Sequence, residues 1–250
     1  MMLPNVFLET PIAHRTLHDV SDGRPENSLA GAAAAIARGY AIELDLQMSK
    51  DGVPMVFHDY SLERLTDEVG AVAQRTAAHL GAIRLKHGDE CIPTLEEFLE
   101  FVDGRVPLLV EIKDQDGALG PNVGALEQAA CAVLKNYTGP AALMSFNPYS
   151  IEKCAEYAPD IPRGLVTGTF LAKDWMFVPE GRRMALAGIP DYERVGACFI
   201  SHHVMHLEDA VVTYRKQQGA AIICWTVRTA MIEDLARKVA DNVTFEGYLA

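Results

Sequence analysis

Residues 40–59 read YAIELDLQMSKDGVPMVFHD, and the architecture of the chain follows from how this stretch must run. Over Tyr40–Leu46 the side chains alternate. Ile42, Leu44 and Leu46 share one face and Glu43 and Asp45 the other, which is the period of a strand. Val53–His58 reads as a second strand, separated from the first only by Gln47 to Gly52. A parallel crossover needs a dozen or more residues, so these two strands must form an antiparallel hairpin, turned at Asp51-Gly52. That hairpin, Leu46–His58, brings His58 back beside Asp45.

Outside this stretch, apolar β-rich runs alternate with helical patterns. Strands are expected at Thr10–His14, Tyr40–Leu46, Val106–Lys113, Ala141–Phe146, Arg163–Thr167, Ala197–Ser201, Ala220–Thr226 and Asn242–Glu246. Amphipathic helical stretches fall between them, among them Ser28–Arg38, Thr94–Val102, Val123–Lys135, Leu207–Gln218 and Met231–Ala240. Eight strand–helix units in a chain of 250 residues predict an α/β fold, a (β/α)8 TIM barrel, with the hairpin as a small insertion at its C-terminal mouth. Residues 59–92 show no strong period and are expected to form an excursion over the same mouth. With no second core, repeat or low-complexity segment, residues 1–250 read as one domain.

Composition narrows the function. Lys and Arg number 22 against 34 Asp and Glu, a net charge of −12, so the basic footprint that a nucleic acid requires is missing. The longest small-apolar run, Leu29 to Ala37, is far below the ~20 residues that span a bilayer, so stable membrane insertion is not expected. Met1 to Asn5 carries no basic segment leading into an apolar core, and secretion is not indicated. The Cys residues, 91, 131, 154, 198 and 224, are odd in number and contain no Cys-x-x-Cys pair. They read as reduced thiols of a cytoplasmic protein.

In a parallel barrel, chemistry sits where strands end. Glu43 and Asp45 end one strand; Glu111 and Lys113 end the next barrel strand, both pairs pointing inward. A single acid-x-acid pair at a strand end reads more readily as a solvated margin, whereas two inward charged pairs on successive strands point to a site. Converging acids raise one another's pKa unless a cation intervenes, and an oxygen-only set suits one hard divalent ion, Mg2+ or Ca2+. Lys113 is then a partner for an anionic substrate oxygen, with a salt bridge inside the acid cluster as the alternative. His14 ends the first strand and His58 the hairpin, so two imidazoles meet the same rim, and imidazole suits acid–base work near neutral pH. His18, His79, His87 and His206 lack such context; His202 and His203 end a later strand.

The chain resembles the glycerophosphodiester phosphodiesterase family. His14-Arg15, Pro25-Glu26-Asn27-Ser28, Glu43-x-Asp45, Asp51-Gly52-x-Pro54-x-Val56-x-His58-Asp59, Glu111-Ile112-Lys113, Ser145-Phe146 and Trp225-Thr226-Val227 follow that family's order. The match runs from residue 12 to about 247. The resemblance implies a TIM-barrel metal-dependent phosphodiesterase, similar in mechanism to phosphatidylinositol-specific phospholipase C, that hydrolyses glycerophosphodiesters to glycerol 3-phosphate and an alcohol. It implies Glu43, Asp45 and Glu111 as metal ligands, His14 and His58 as the catalytic acid–base pair, Arg15 and Lys113 on the phosphate, and Trp225 against the substrate. A grip on the shared glycerophosphate part further implies tolerance among choline, ethanolamine and glycerol head groups.

The chain departs from the family pattern in four places: Thr16 stands where Gly is usual, the stretch Leu17 to Arg24 separates that turn from Pro25-Glu26-Asn27, Arg228 stands where Asn is usual, and the last strand ends Thr244-Phe245-Glu246 where Thr-Asp is frequent. The competing readings are a phospholipase-type enzyme acting on membrane lipid and a barrel that binds a phosphodiester without cleaving it. The first would use the apolar cluster Phe170, Trp175, Met176, Phe177 and Val178, which a loop over the mouth explains equally. Outside the family, a metal-dependent aldolase or isomerase could share the acid cluster but leaves the His58 hairpin unexplained.

Overall fold

In the computed structural model, which describes all 250 residues, eight parallel strands close on themselves. The strands are β1 (Ile12–Ala13), β2 (Ala41–Met48), β3 (Pro54–Val56), β4 (Leu108–Ile112), β5 (Ala141–Ser145), β6 (Arg163–Thr167), β7 (Phe199–His203), β8 (Ala221–Val227) and β9 (Asn242–Phe245). Every neighbour in the ring is parallel, and β1 pairs with both β9 and β2, which closes the barrel. The exception is β3, antiparallel to β2 with Leu46 opposite Val56. The hairpin is therefore present as the spacing of residues 40–59 requires.

The helices are α1 (Val6–Glu9), α2 (Leu29–Arg38), α3 (Ala77–Leu80), α4 (Leu95–Val102), α5 (Ala125–Leu134), α6 (Pro148–Tyr157), α7 (Glu180–Ala187), α8 (Ala210–Gln217) and α9 (Ala230–Ala236). Local chemistry sets their ends. Ser28 caps α2 by accepting from the Gly31 amide, and Thr94 and Glu97 form a reciprocal capping box on α4. Outward-facing Ile42, Leu44 and Leu46 are fully buried against the helical layer, worth about 1.5–3 kcal/mol each. Inside the barrel, Ile12, Leu109, Met144, Val166, Phe199 and Ile223 fill the lower part, and Phe7 of α1 plugs the base. The interior is thus packed below and polar above, where the site sits.

Two expectations change. The first strand is shorter than Thr10–His14, because Arg15 and Thr16 turn with φ of 52° and 73° and pull the chain out of the sheet just after Ala13. Residues 59–92 touch the mouth through Asp59 and Arg64 and hold a small core of their own: Leu62, Val72, Leu80, Ile83, Leu85 and Ile92 pack with Met55 and Phe57. Its apolar residues lack a regular spacing because short turns and isolated bridges, rather than long elements, bring them together.

Candidate active site

Asp45 and Glu111 stand directly opposite each other on β2 and β4, and Glu43 lies one inward position below Asp45. One carboxylate oxygen from each of the three falls within 4.8 Å of the others. All three are buried. The Lys113 ammonium lies 2.5 Å from Glu111 Oε1 and 2.7 Å from Asp45 Oδ1. Burial alone would lower the Lys113 pKa, but Asp45 and Glu111 outweigh it and hold the group charged. Burial, then Asp45 and Glu111, push the Glu43 carboxyl well above its usual range. Burial opposes ionisation of Asp45 too, but Lys113, His58 and Arg15 hold that carboxyl well below the usual range. One ammonium does not offset three carboxylates, and Glu43 carries the deficit.

The imidazoles are each oriented by a carboxylate. His14 Nδ1 lies 2.5 Å from Glu246 Oε2, and His58 Nδ1 lies 2.6 Å from Asp59 Oδ1. Such a partner fixes the ring and stabilises the imidazolium when it forms. Burial pushes His14 below its ordinary pKa, with the Glu246 hydrogen bond pulling the other way. Burial would raise Glu246, but hydrogen bonding to His14 and the neighbouring His18 outweighs it, and its carboxyl sits well below the usual range. Glu246 also accepts from Arg228 at 2.7 Å, so two departures from the family pattern pair with each other in space.

A polar network runs from one imidazole to the acid cluster. Asp59 receives Arg64 at 2.6 and 2.7 Å, Arg64 donates to Glu26 at 2.8 and 2.9 Å, and Glu26 accepts from Arg15 at 3.0 Å. Arg15 Nε lies 3.6 Å from Asp45, and the Arg15 amide donates to Glu43 at 2.7 Å. Asn27 donates to Asp45 at 2.9 Å. Thus His14, Arg15, Glu43, His58, Glu111, Lys113 and Trp225 line one cleft of about 50 Å³, and Asp45 is tied to it through Lys113 and Arg15. Ser201 Oγ and Thr244 Oγ1 are buried in the same cleft without hydrogen-bond partners. Every site residue named from the sequence is in or against this cleft.

Sequence reasoning assigned no role to Glu246, Asp59, Arg64, Glu26 or Asn27. Glu26, Asn27 and Asp59 stood inside the quoted motifs, and Glu246 was visible only as a departure. Arg64 gave no signal. His18, which lacked context in sequence, lies 3.7 Å from Glu246. Lys113 forms the salt bridge within the acid cluster that was its alternative reading. Trp225 is fixed by a bond from its indole N–H to the Ser201 carbonyl at 3.0 Å.

The donor set fits a hard divalent cation. It consists of oxygen alone, is buried, and holds more negative charge than its one ammonium balances. A (β/α)8 barrel with such a cluster and two carboxylate-oriented imidazoles at its C-terminal mouth has the equipment of an acid–base enzyme.

Residues 18–244 match the model of the Glycerophosphoryl diester phosphodiesterase family. The glycerophosphodiester phosphodiesterase of Caldanaerobacter subterraneus subsp. tengcongensis is 30% identical over 242 residues, covering 93% of this chain and 90% of that one. An Oleispira antarctica phosphodiesterase, solved in complex with the product sn-glycerol-3-phosphate, superposes with a TM-score of 0.77 at 25% identity, covering 96% of this chain and 93% of that one. The Thermotoga maritima glycerophosphodiester phosphodiesterase shares the fold, with a TM-score of 0.70 at 21% identity over 95% of this chain and 94% of that one. The chain belongs to the glycerophosphoryl diester phosphodiesterase family, and its enzyme class is phosphoric diester hydrolase.

Proposed function

We propose that the protein hydrolyses soluble glycerophosphodiesters to glycerol 3-phosphate and an alcohol, with the help of one divalent cation, Mg2+ or Ca2+. The observation that carries this reading is the convergence of three buried acids and two carboxylate-oriented imidazoles on one cleft. Glu43, Asp45 and Glu111 would hold the cation, which supplies positive charge for the non-bridging oxygens of the phosphodiester. Arg15 and Lys113 hold the phosphate through charge-assisted hydrogen bonds. One imidazole, of His14 or His58, takes a proton from the nucleophile; the other gives one to the departing alcohol oxygen. Glu246 and Asp59 hold those rings in orientation, and Trp225 packs against the substrate. The chain acts as one domain, and its five free cysteines fit a reducing, cytoplasmic setting.

A second reading, action on lipid at a membrane, is favoured by one feature. Leu171, Met176 and Phe177 are exposed on the loop after β6, the last two at 76% and 84%. No helix is long and apolar enough to cross a membrane. The deciding assay uses chelated protein with Mg2+ or Ca2+ restored, and compares glycerophosphocholine, glycerophosphoethanolamine and glycerophosphoglycerol with phospholipid vesicles. Glycerol 3-phosphate released from the soluble esters, and much slower attack on vesicles, is the expected result. A strong preference for vesicles would replace this reading by the second.

A further inference from the structure

Beside the acid cleft, and sharing Phe146 and Trp225 with it as a common wall, lies a second cavity of about 540 Å³ at the ends of β5 to β8. Aromatic rings form one side of its wall, beside Thr169, Lys173, Asp174 and Met205. Phe146 and Trp175 have ring centroids 4.9 Å apart, Phe170 and Trp175 5.1 Å, Phe146 and Trp225 5.4 Å, and His203 and Trp225 5.0 Å. This volume falls in the range of small-molecule sites. We propose that this cavity is the head-group subsite and that it selects a quaternary ammonium, so that choline esters are the preferred substrates; this rests on the glycerophosphodiesterase reading above.

The argument is one of chemistry at the walls. Aromatic faces attract a weakly hydrated cation, Trp most strongly, and both tryptophans of the chain line this cavity. Burial and the neighbouring His206 push His203 below its ordinary pKa, so it adds a neutral ring rather than a repelling charge. Asp174 lies on the rim as a counter-charge. Lys173 lies there too; like Asp174 it is exposed, and its long stem lets the ammonium remain in water. A primary ammonium or a glycerol arm brings several N–H or O–H groups that need acceptors; Asp174 can take one of them, and the ring faces leave the others poorly paired. A trimethylammonium group has no donor to satisfy. The tolerance among head groups implied by the family resemblance therefore gives way here to discrimination.

The two tryptophans make the test direct, because intrinsic fluorescence reads this cavity without any turnover. Tetramethylammonium chloride and choline, titrated against salt-matched NaCl, are expected to change the emission saturably. The uncharged carbon isostere 3,3-dimethyl-1-butanol is expected to bind at least about tenfold more weakly. Equal binding of the isostere would make the cavity merely apolar and overturn the proposal, as would no saturable change. In turnover, Trp175→Leu is expected to reduce the ratio of kcat/KM for glycerophosphocholine over glycerophosphoglycerol about tenfold. Parallel loss on both esters would equally overturn it. If no glycerophosphodiester is cleaved while tetramethylammonium still binds, the parent reading fails and the head-group assignment with it, and only a quaternary-ammonium site stands.

Discussion

His14 and Glu246 lie 232 positions apart in sequence, yet Nδ1 of one is 2.5 Å from Oε2 of the other. The contact exists because β1 and β9 are neighbours in the closed ring, with Ala13 opposite Phe245. Glu246 stabilises the protonated ring, so its loss lowers the pKa of His14. Glu246→Gln is expected to move the limb of the pH–rate profile that reports His14 to lower pH. It should reduce kcat about tenfold or more with little change in KM, within the ~10²–10⁴-fold contribution of a general acid or base. A pH profile that superposes on the parent enzyme's would mean that Glu246 does not orient or tune this ring.

Replacing the imidazoles themselves should cost more. His14→Ala and His58→Ala are each expected to lower turnover by ~10²–10⁴-fold, while substrate affinity changes little because Arg15 and Lys113 remain. His79→Ala, at an exposed position of α3 outside the cleft, serves as the silent control. Near-normal turnover in His58→Ala would show that the hairpin delivers a bystander.

Metal binding should be visible without any substrate. Chelation is expected to abolish activity, and Mg2+ or Ca2+ at about 100 times its Kd should raise unfolding stability by about 2.7 kcal/mol. Glu43→Gln relieves crowding among the three acids, so in chelator it is expected to be more stable than the parent by about 1 kcal/mol. The same variant should lose the metal-induced rise in Tm. Retention of full turnover in metal-free buffer would sink the cation's role.

Acid sensitivity should have a source away from the site. His202 is 1% exposed, packs on the outer face of β7 and shares a 2.8 Å bond between Nδ1 and Thr167 Oγ1. Burial lowers its pKa to about 4. The unfolded chain therefore binds more protons than the native one between roughly pH 6.5 and that lowered value, and stability falls with pH across this window. By pH 5 the loss amounts to about 2 kcal/mol. In denaturant titrations at pH 7 and 5, His202→Gln should lose that much less than the parent; an unchanged difference would assign the acid sensitivity to other groups.

Thr16 and Gly31 should be energetically coupled. Thr16 holds a left-handed φ of 73° with its hydroxyl buried and unpaired, and a Cβ on Gly31 would stand 2.1 Å from that oxygen. Gly31→Ala is expected to destabilise the protein by about 2–3 kcal/mol. In a Thr16→Gly background most of that cost should vanish, giving a coupling of about 1–2 kcal/mol in a double-mutant cycle. Simple additivity would refute the steric account.

Much of this was legible because strand period and loop length are local properties. Alternation placed Glu43 and Asp45 inward, and the shortness of Gln47–Gly52 forced the hairpin, so Phe57 N donating to Asp45 O at 2.9 Å is a geometric consequence. Helix α7 was harder to read, since Leu186 is the one residue it buries and a helix with so narrow an apolar contact leaves little periodic trace. Arg64 was invisible for a different reason: it lies in the excursion, where no period fixes a direction, and it acquires its role only by reaching Glu26 and Asp59.

The sequence alone determined the barrel, the inward acids on adjacent strands and the delivery of two imidazoles to one rim, because each depends on spacing within one or two elements. Tertiary structure decided which carboxylate each imidazole faces, that Arg228 and Glu246 pair, and that Phe146, Phe170, Trp175 and Trp225 enclose one cavity. Phe146 follows β5, Phe170 and Trp175 share the loop after β6, and Trp225 lies near the end of β8. Their meeting depends on barrel closure and on the path of each loop, and neither is encoded in any single segment.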